Sequence, residues 1–339
     1  AKRWFNLSKK NNTVYVSDTA DFIELPAFSE NKIDYSPLQK LDFDIKATAQ
    51  SFIYANKPYL ATKAEVKLKQ GVLNVLSFET QSDKSTISGD FVLNSNGTPN
   101  IKGKYYIAGV KTAALGGKVY RLNSGILSAN GTFDSNASSV SDFMNNLNSS
   151  GSFQLTDTVM KGWDLDIIKF DIEQRKSVAG FDNFVRSSLT SGESAFTKIS
   201  GKYTIKDGNV SADKILWQSP VVDMYMQLSL SLKDKLVNAS FDTIYHNASF
   251  SDVLKFALEG DLANPQLKLD LSDTTTRIEE TDKLANAALI QRENEKNEII
   301  KNKIAATQKN IDDALLIADR VSSEAERFKP KSSDRAVMR

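Results

Sequence analysis

The chain contains no cysteine and only one histidine, His246, among its 339 residues. The absence of cysteine excludes disulfides, thiolate metal sites and cysteine nucleophiles, and a single histidine removes nearly all histidine-based catalysis and metal ligation. No run of about 18 apolar residues is present, which predicts that no helix of this chain spans a bilayer. The 43 basic residues nearly balance the 42 acidic ones, so no basic field attracts nucleic acid. We therefore expect no cofactor, no metal site and no nucleic-acid partner.

The titratable residues that remain form no catalytic pattern. Asp164 and Asp166 alternate with Leu165 and Ile167, which predicts a strand with both carboxylates on one face. Paired carboxylates can perform acid–base work, but no base, metal ligand or phosphate-binding loop accompanies them. His246 has no nucleophile–acid context, which favours a surface or hydrogen-bonded histidine. We predict no catalytic residue and a chain that is not an enzyme.

Residues 1–270 alternate between apolar and polar residues with period two, which is typical of antiparallel sheets with one solvated face. The clearest stripe of apolar residues is Val222, Met224, Met226, Leu228, Leu230 and Leu232. Turn residues separate the alternating runs at Gln70-Gly71, Asn96-Gly97, Asp207-Gly208 and Asn264-Pro265. The sequence predicts a mostly β fold, a curved antiparallel sheet or groove with short helices at 140–147 and 181–189 and a long C-terminal α-helix.

Two segments fifty positions apart repeat one pattern. Glycine, an aromatic residue, an aliphatic residue and aspartate recur in register at positions 151/201, 153/203, 155/205 and 157/207. A β unit of this kind cannot bury its own face alone, so the repeat indicates stacked sheet elements. Trp163 and Trp217 follow the two copies, and core packing is favoured over a place at a groove mouth.

The C-terminal region has a different character. No glycine or proline occurs from Thr274 to Phe328, which predicts one long helix, with 330–339 as a loose tail. A heptad pattern covers the second half of the helix. Its partner-binding candidates are Ile300, Ile304, Ile311 and Val321. We expect this helix to bind a protein partner or to self-associate weakly, and the alternative is that it folds back over a sheet edge or the groove end.

A series of motifs follows one another between about residues 35 and 270. They are Leu41-Asp-Phe-Asp-Ile45 through Gly71, Ile87-Ser-Gly-Asp-Phe91, Gly131-Thr-Phe, the short helix to Leu147, Gly151-Ser-Phe-Gln-Leu-Thr-Asp, Lys161-Gly-Trp-Asp-Leu165, Phe196 to Val210, the strand at 221–232, and Gly260-Asp-Leu-Ala-Asn-Pro265. Their order resembles the AsmA family of bacterial envelope proteins: the motifs from Gly131 resemble its C-terminal module, and the earlier ones resemble the β-repeats that precede this module. Thr158 stands where the family pattern has glycine, and the 274–328 helix has no counterpart in it.

The resemblance implies a non-enzymatic protein with its body in the periplasm and an inner-membrane anchor in a segment upstream of this chain. It implies a β-repeat region at 1–130 and the AsmA-like module at 131–272. The helix and its tail, at 273–339, form a third region that the residue pattern alone predicts. It also implies a hydrophobic groove that supports phospholipid transport and outer-membrane lipid homeostasis.

The 222–232 stripe is the candidate lipid-binding surface. Burial of each methylene stabilises by about 0.8 kcal/mol, so acyl chains bind such a stripe by area. The alternative is that the stripe faces an ordinary core under helices at 181–189 and 250–258, with lipid contacting only part of it. Two functions stay open: a lipid-carrying groove, or an envelope scaffold that recruits a protein partner through its C-terminal helix.

Overall fold

The computed structural model describes residues 5–7, 14–16, 28–54, 57–82, 84–112 and 122–327. The chain divides into two compact units, residues 1–278 and residues 279–339. The first unit carries a single large sheet, and the described part of the second unit is helical throughout.

Within the described ranges, the sheet of the first unit is antiparallel and has fifteen strands. The strands are β1 Phe5–Leu7, β2 Val14–Val16, β3 Phe43–Tyr54, β4 Lys57–Lys69, β5 Val72–Ser82, β6 Ser85–Asn94, β7 Asn100–Lys111, β8 Leu122–Asn136, β9 Asn148–Lys161, β10 Glu193–Lys206, β11 Asn209–Gln218, β12 Val222–Ser231, β13 Leu236–Tyr245, β14 Leu254–Asp261 and β15 Gln266–Asp270. From β3 to β15 each strand pairs with the next along the chain, and β2 pairs with β15 and β1. The sheet is open and curved, which confirms the predicted fold class. The expected boundary at 130/131 falls inside β8, and the sheet continues across it.

Short hairpin turns connect many of these strands. Between β10 and β11, Asp207 and Gly208 both have positive φ angles, of 48° and 72°. Two successive positive φ angles are those of a type I′ turn, whose twist matches that of the flanking strands. The same arrangement occurs at Gln70 and Gly71. All four turn pairs identified in the sequence lie between strands.

The helices are α1 Ser36–Gln39, α2 Val140–Asn145, α3 Leu165–Gln174, α4 Phe181–Ser188 and α5 Ser272–Arg327. Helices α2 and α4 confirm two predictions. The strand predicted at 164–167 is wrong, because these residues begin α3: the Asp164 carboxylate caps the helix by accepting a hydrogen bond from the Ile167 amide at 3.1 Å. The helix considered at 250–258 is also wrong, since β14 begins at Leu254.

Helices α3 and α4 pack onto one end of the sheet, where they contact β10 and β15 respectively. Their fully buried residues are Leu165, Ile168, Ile172, Phe181 and Val185. The spacing of the α3 residues places them on one helical face. Together with strand residues from β9 to β15 they form the main hydrophobic cluster. The core is therefore concentrated under these helices rather than spread evenly over the sheet.

The first turns of α5 belong to the first unit. Thr274 and Ile278 are buried, and the Arg277 guanidinium forms an ion pair with Asp252 at 2.6 Å. From residue 279 to residue 327 every residue of the helix is exposed. The predicted long helix is confirmed to Arg327, while Phe328 and the predicted tail lie outside the described residues.

One face of the sheet is mainly apolar from β3 to β15, and we call it the apolar face. Strand pairing aligns its residues in rows that cross the sheet. One row is Ile45, Val66, Val75, Phe91, Gly103, Phe133, Ser149, Ile205, Val210, Leu230, Val237 and Gly260. A second row is Ile87, Ile107, Ala129, Phe153, Gly201, Ile215, Met226, Phe241, Phe256 and Leu269. Because directly opposed residues share a face, the apolar surface passes from strand to strand along these rows.

Candidate functional site

The predicted stripe on β12 and the residue after it divides into three parts. Val222 and Met224 are 1% and 0% exposed and belong to the cluster that contains the α3 and α4 residues. Met226, Leu228 and Leu230 stay partly exposed and line a cavity. Leu232 is buried beyond the end of the strand, where its amide donates to the Gly208 carbonyl at 3.0 Å. The stripe is thus core at one end and cavity wall in the middle, and lipid binding to it stays a prediction.

The cavity lies on the apolar face between β8 and β15 and has a volume of about 280 Å³. Every residue that lines it is apolar. They are Leu122, Phe153, Leu155, Met160, Trp163, Ile199, Ile215, Trp217, Met226, Leu228, Leu230, Val237, Ala239, Phe241, Leu258, Leu262 and Pro265. A concave site with no charged wall residue suits a hydrocarbon guest and offers nothing to a polar metabolite.

Aromatic rings form the deep wall of the cavity. Trp163 and Trp217 have ring centroids 5.5 Å apart, and the Phe241 ring stands edge-on to Trp163 at 5.2 Å. Phe256 stacks on Phe241 at 4.6 Å. These edge-on and stacked contacts are those of a packed core. Both tryptophans therefore pack in the core, as favoured from the sequence, and they also face the cavity.

Three polar atoms in this core have no hydrogen-bond partner within the described part of the chain: Trp217 Nε1, Thr243 Oγ1 and Tyr245 Oη. A buried polar group left unpaired costs about 1–3 kcal/mol. Burial raises the pKa of Tyr245, and the nearby carboxylates of Asp166 and Asp164 raise it further, so this phenol stays neutral. Among the three residues Trp217 lines the cavity, but its Nε1 atom is buried, so the accessible wall stays apolar.

Five consecutive strands, β6 to β10, each carry a glycine and an aromatic residue two positions later on the apolar face. The pairs are Gly89/Phe91, Gly103/Tyr105, Gly131/Phe133, Gly151/Phe153 and Gly201/Tyr203. Strand pairing sets glycine opposite aromatic between β6 and β7, β7 and β8, and β9 and β10. Between β8 and β9 the two glycines, Gly131 and Gly151, oppose each other. Aromatic rings cover neighbouring glycines in such pairs, which keeps this part of the face apolar.

The candidates for acid–base chemistry do not come together. Asp164 caps α3, and Asp166 is exposed in the first turn of that helix, so the two carboxylates do not share a strand face. The Nε2 atom of His246 lies 3.4 Å from the Asp223 carboxylate, and its Nδ1 atom lies 3.3 Å from the Pro220 carbonyl oxygen. Within the described ranges no group of three or more histidine, aspartate and glutamate residues could hold a metal ion.

The partner-helix candidates all lie in the second unit. Ile300, Ile304, Ile311 and Val321 are 53%, 63%, 47% and 61% exposed on α5. Their intervals of 4, 7 and 10 residues put them on one side of the helix. Other large apolar residues of α5 are equally exposed, including Leu284, Leu289, Leu315 and Ile317. Some of these lie off the heptad positions, so the apolar surface is broader than the predicted seam.

Comparisons of the chain with protein-family models, with curated proteins and with solved structures find no match. The AsmA resemblance therefore stays a prediction that rests on the order of the motifs. Among the described helices, none combines the length and the apolar character needed to cross a membrane.

Proposed function

We propose that this chain is a non-enzymatic lipid-binding protein whose apolar face holds the acyl chains of phospholipids during transport. The observation that carries the proposal is the apolar face that crosses the sheet from β3 to β15 and contains a cavity with only apolar walls. Its location in the periplasm, its attachment to the inner membrane and its role in outer-membrane lipid homeostasis rest on the AsmA resemblance alone.

The chemistry of the cavity supports this function. Each buried methylene contributes about 0.8 kcal/mol, so several methylenes bind with useful affinity without any specific polar contact. Met226 and Met160 add flexible, polarizable side chains to the wall, and methionine adapts to guests of variable shape. The partial exposure of Met226, Leu228 and Leu230 leaves apolar area for a guest to cover.

The test compares two double variants of β12. Met226→Asp with Leu228→Asp places charges in the cavity wall, whereas the control Gln227→Asp with Ser229→Asp places the same charges on the exposed opposite face of the same strand. The full chain is purified from bacterial membranes in mild detergent and analysed by native mass spectrometry with lipid extraction.

We expect phospholipid bound to the wild type and to the control, and none bound to the cavity variant, with β-rich far-UV circular dichroism in all three. A folded wild type without lipid contradicts the proposal. Unfolding of the cavity variant alone assigns both positions to the core.

A second candidate function is an envelope scaffold that recruits a protein partner through α5. The observation that favours it is the complete exposure of residues 279–327, apolar residues included. Photo-crosslinkers placed at Ile304 and Ile311 in cells should then give a defined adduct that Ile300→Lys abolishes, with lipid content unchanged. Absence of any adduct contradicts the scaffold function.

A further inference from the structure

A pair of tyrosine hydroxyls stands in the middle of the apolar face. Tyr105 on β7 and Tyr203 on β10 are separated by two strands, yet their hydroxyls form a hydrogen bond. The residues between them on the same row are Gly131 and Gly151, which have no side chains. A Cβ atom at Gly131 would lie 2.8 Å and 2.9 Å from the two hydroxyl oxygens. The glycines therefore let both rings reach across their neighbours and meet.

The hydroxyl pair keeps hydrogen-bonding capacity for a ligand. Each phenol has one hydrogen to donate and two lone pairs. When Tyr203 donates to Tyr105, the hydrogen of Tyr105 is left for another acceptor. Ser149 donates its own hydrogen to the Thr132 carbonyl at 2.6 Å, and its oxygen lies 3.4 Å from the Tyr203 hydroxyl. Burial raises the pKa of Tyr105, so its hydroxyl stays protonated and able to donate at neutral pH.

This polar cluster borders the apolar cavity. Phe153 lines the cavity and lies two residues from Gly151 on the same face of β9, a distance of about 6.6 Å along a strand. Tyr203 itself packs against the core cluster that forms the cavity wall. Oxygen-binding hydroxyls next to a hydrocarbon site match a molecule with a polar oxygen at the head of an apolar chain.

We propose that the Tyr105 hydroxyl, held in place by the hydrogen bond from Tyr203, donates to the carbonyl oxygen at the head of an acyl chain whose hydrocarbon enters the cavity. The inference rests on the proposed function and deepens it, because it names the polar contact and the orientation of the guest. A carbonyl of this kind belongs either to a free fatty acid or to the ester of a lipid.

The test uses full-length variants that remove one hydroxyl and keep the ring. Tyr105→Phe and Tyr203→Phe are compared with Tyr106→Phe, which alters the adjacent, exposed residue on the opposite face. Binding of methyl oleate, oleic acid and octadecene, each delivered from cyclodextrin, is followed by tryptophan fluorescence in a Trp4→Phe background. In that background the two remaining tryptophans, Trp163 and Trp217, both line the cavity.

We expect each of the two phenylalanine variants to bind methyl oleate and oleic acid about 3- to 10-fold more weakly, the effect of one hydrogen bond. Tyr105→Phe removes the donor to the carbonyl oxygen, and Tyr203→Phe removes the hydrogen bond that holds this donor in place. Octadecene has no carbonyl, so its binding should not change, and Tyr106→Phe should behave as the wild type. Unchanged octadecene binding also shows that the variants fold. Weakening confined to oleic acid or to methyl oleate supports the contact and identifies the acid or the ester as its source.

Two other outcomes overturn the inference and are distinguishable. If the wild type binds all three compounds and the tyrosine variants bind them equally well, the hydroxyl contact is refuted while the apolar site stands. If the wild type binds none of the three, including octadecene, the proposed function fails and the inference fails with it.

Discussion

Replacing Gly131 by alanine should destabilise the sheet, although alanine is normally the better strand residue. The added Cβ would lie 2.6 Å from the Ser150 carbonyl oxygen as well as against both tyrosine hydroxyls. Because the Ser150 oxygen is a backbone atom, it cannot move away as a side chain could, and overpacking should destabilise the folded state by about 2–3 kcal/mol. Alanine loses less conformational entropy on folding than glycine does, which stabilises the variant by about 0.5–1 kcal/mol. The net expectation is a loss of about 1–2 kcal/mol in the free energy of unfolding.

Gly125→Ala on the same strand is the matched control. There the nearest atom to the added Cβ is the Thr158 hydroxyl oxygen at 3.1 Å, and the next two atoms lie at 3.5 Å and 3.6 Å. We expect this variant within about 0.5 kcal/mol of the wild type, because the intrinsic gain of alanine offsets the mild contact. Urea titrations of the full chain, followed by far-UV circular dichroism, give both values. Equal midpoints for the two variants would refute the steric conflict between a Cβ at residue 131 and the Ser150 carbonyl oxygen.

Three further predictions concern the core and its boundaries. Met224→Ala should lower the free energy of unfolding by about 2–5 kcal/mol because Met224 is fully buried. Met226→Ala should lower it by less than half as much, and equal urea midpoints for the two variants would mean that both are core residues. Asp164→Ala should cost about 0.5–2 kcal/mol through loss of the α3 cap. Asp164→Asn should recover most of that loss in the same titration, and no recovery would argue against capping. A chain that ends at Ile278 should keep the wild-type unfolding midpoint of the sheet. A chain that ends at residue 271 should unfold at a lower urea concentration because it lacks the buried Ile278 side chain. Equal midpoints for the two truncated chains would contradict the assignment of residues 272–278 to the first unit.

Local patterns in the sequence were enough to predict most of the fold. Period-two alternation and the four turn pairs predicted the antiparallel sheet. The absence of glycine and proline from Thr274 to Phe328 predicted α5. Helix α3 was missed because Asp164 to Ile167 also alternate. The helical signal lies in Leu165, Ile168 and Ile172, whose spacing follows one face of a helix and extends beyond the alternating segment.

The division of the 222–232 stripe could not be predicted from its own pattern. A strand alternates in the same way whether a helix or a cavity faces it. Helices that lie far earlier in the chain decide the outcome, since their packing buries Val222 and Met224 and leaves Met226 to Leu230 in the cavity wall. The repeat at 151 and 201 was found because its copies match over many positions. The glycine–aromatic pairs that begin at Gly89 and Gly103 share only these two positions with that repeat, and they recur at unequal intervals along the chain. The sequence pattern therefore did not identify them.

The apolar rows run across the strands rather than along them, and this direction sets a length. Neighbouring strands lie about 4.8 Å apart, so the twelve intervals from β3 to β15 give a contour of about 58 Å. That is nearly twice the ~30 Å hydrocarbon thickness of a bilayer. For the lipid transport proposed above, an acyl chain shorter than this contour would have to pass from strand to strand, across Ser149 and the hydroxyls of Tyr105 and Tyr203. We expect the energy of such a guest to vary along the contour and to be lowest in the cavity.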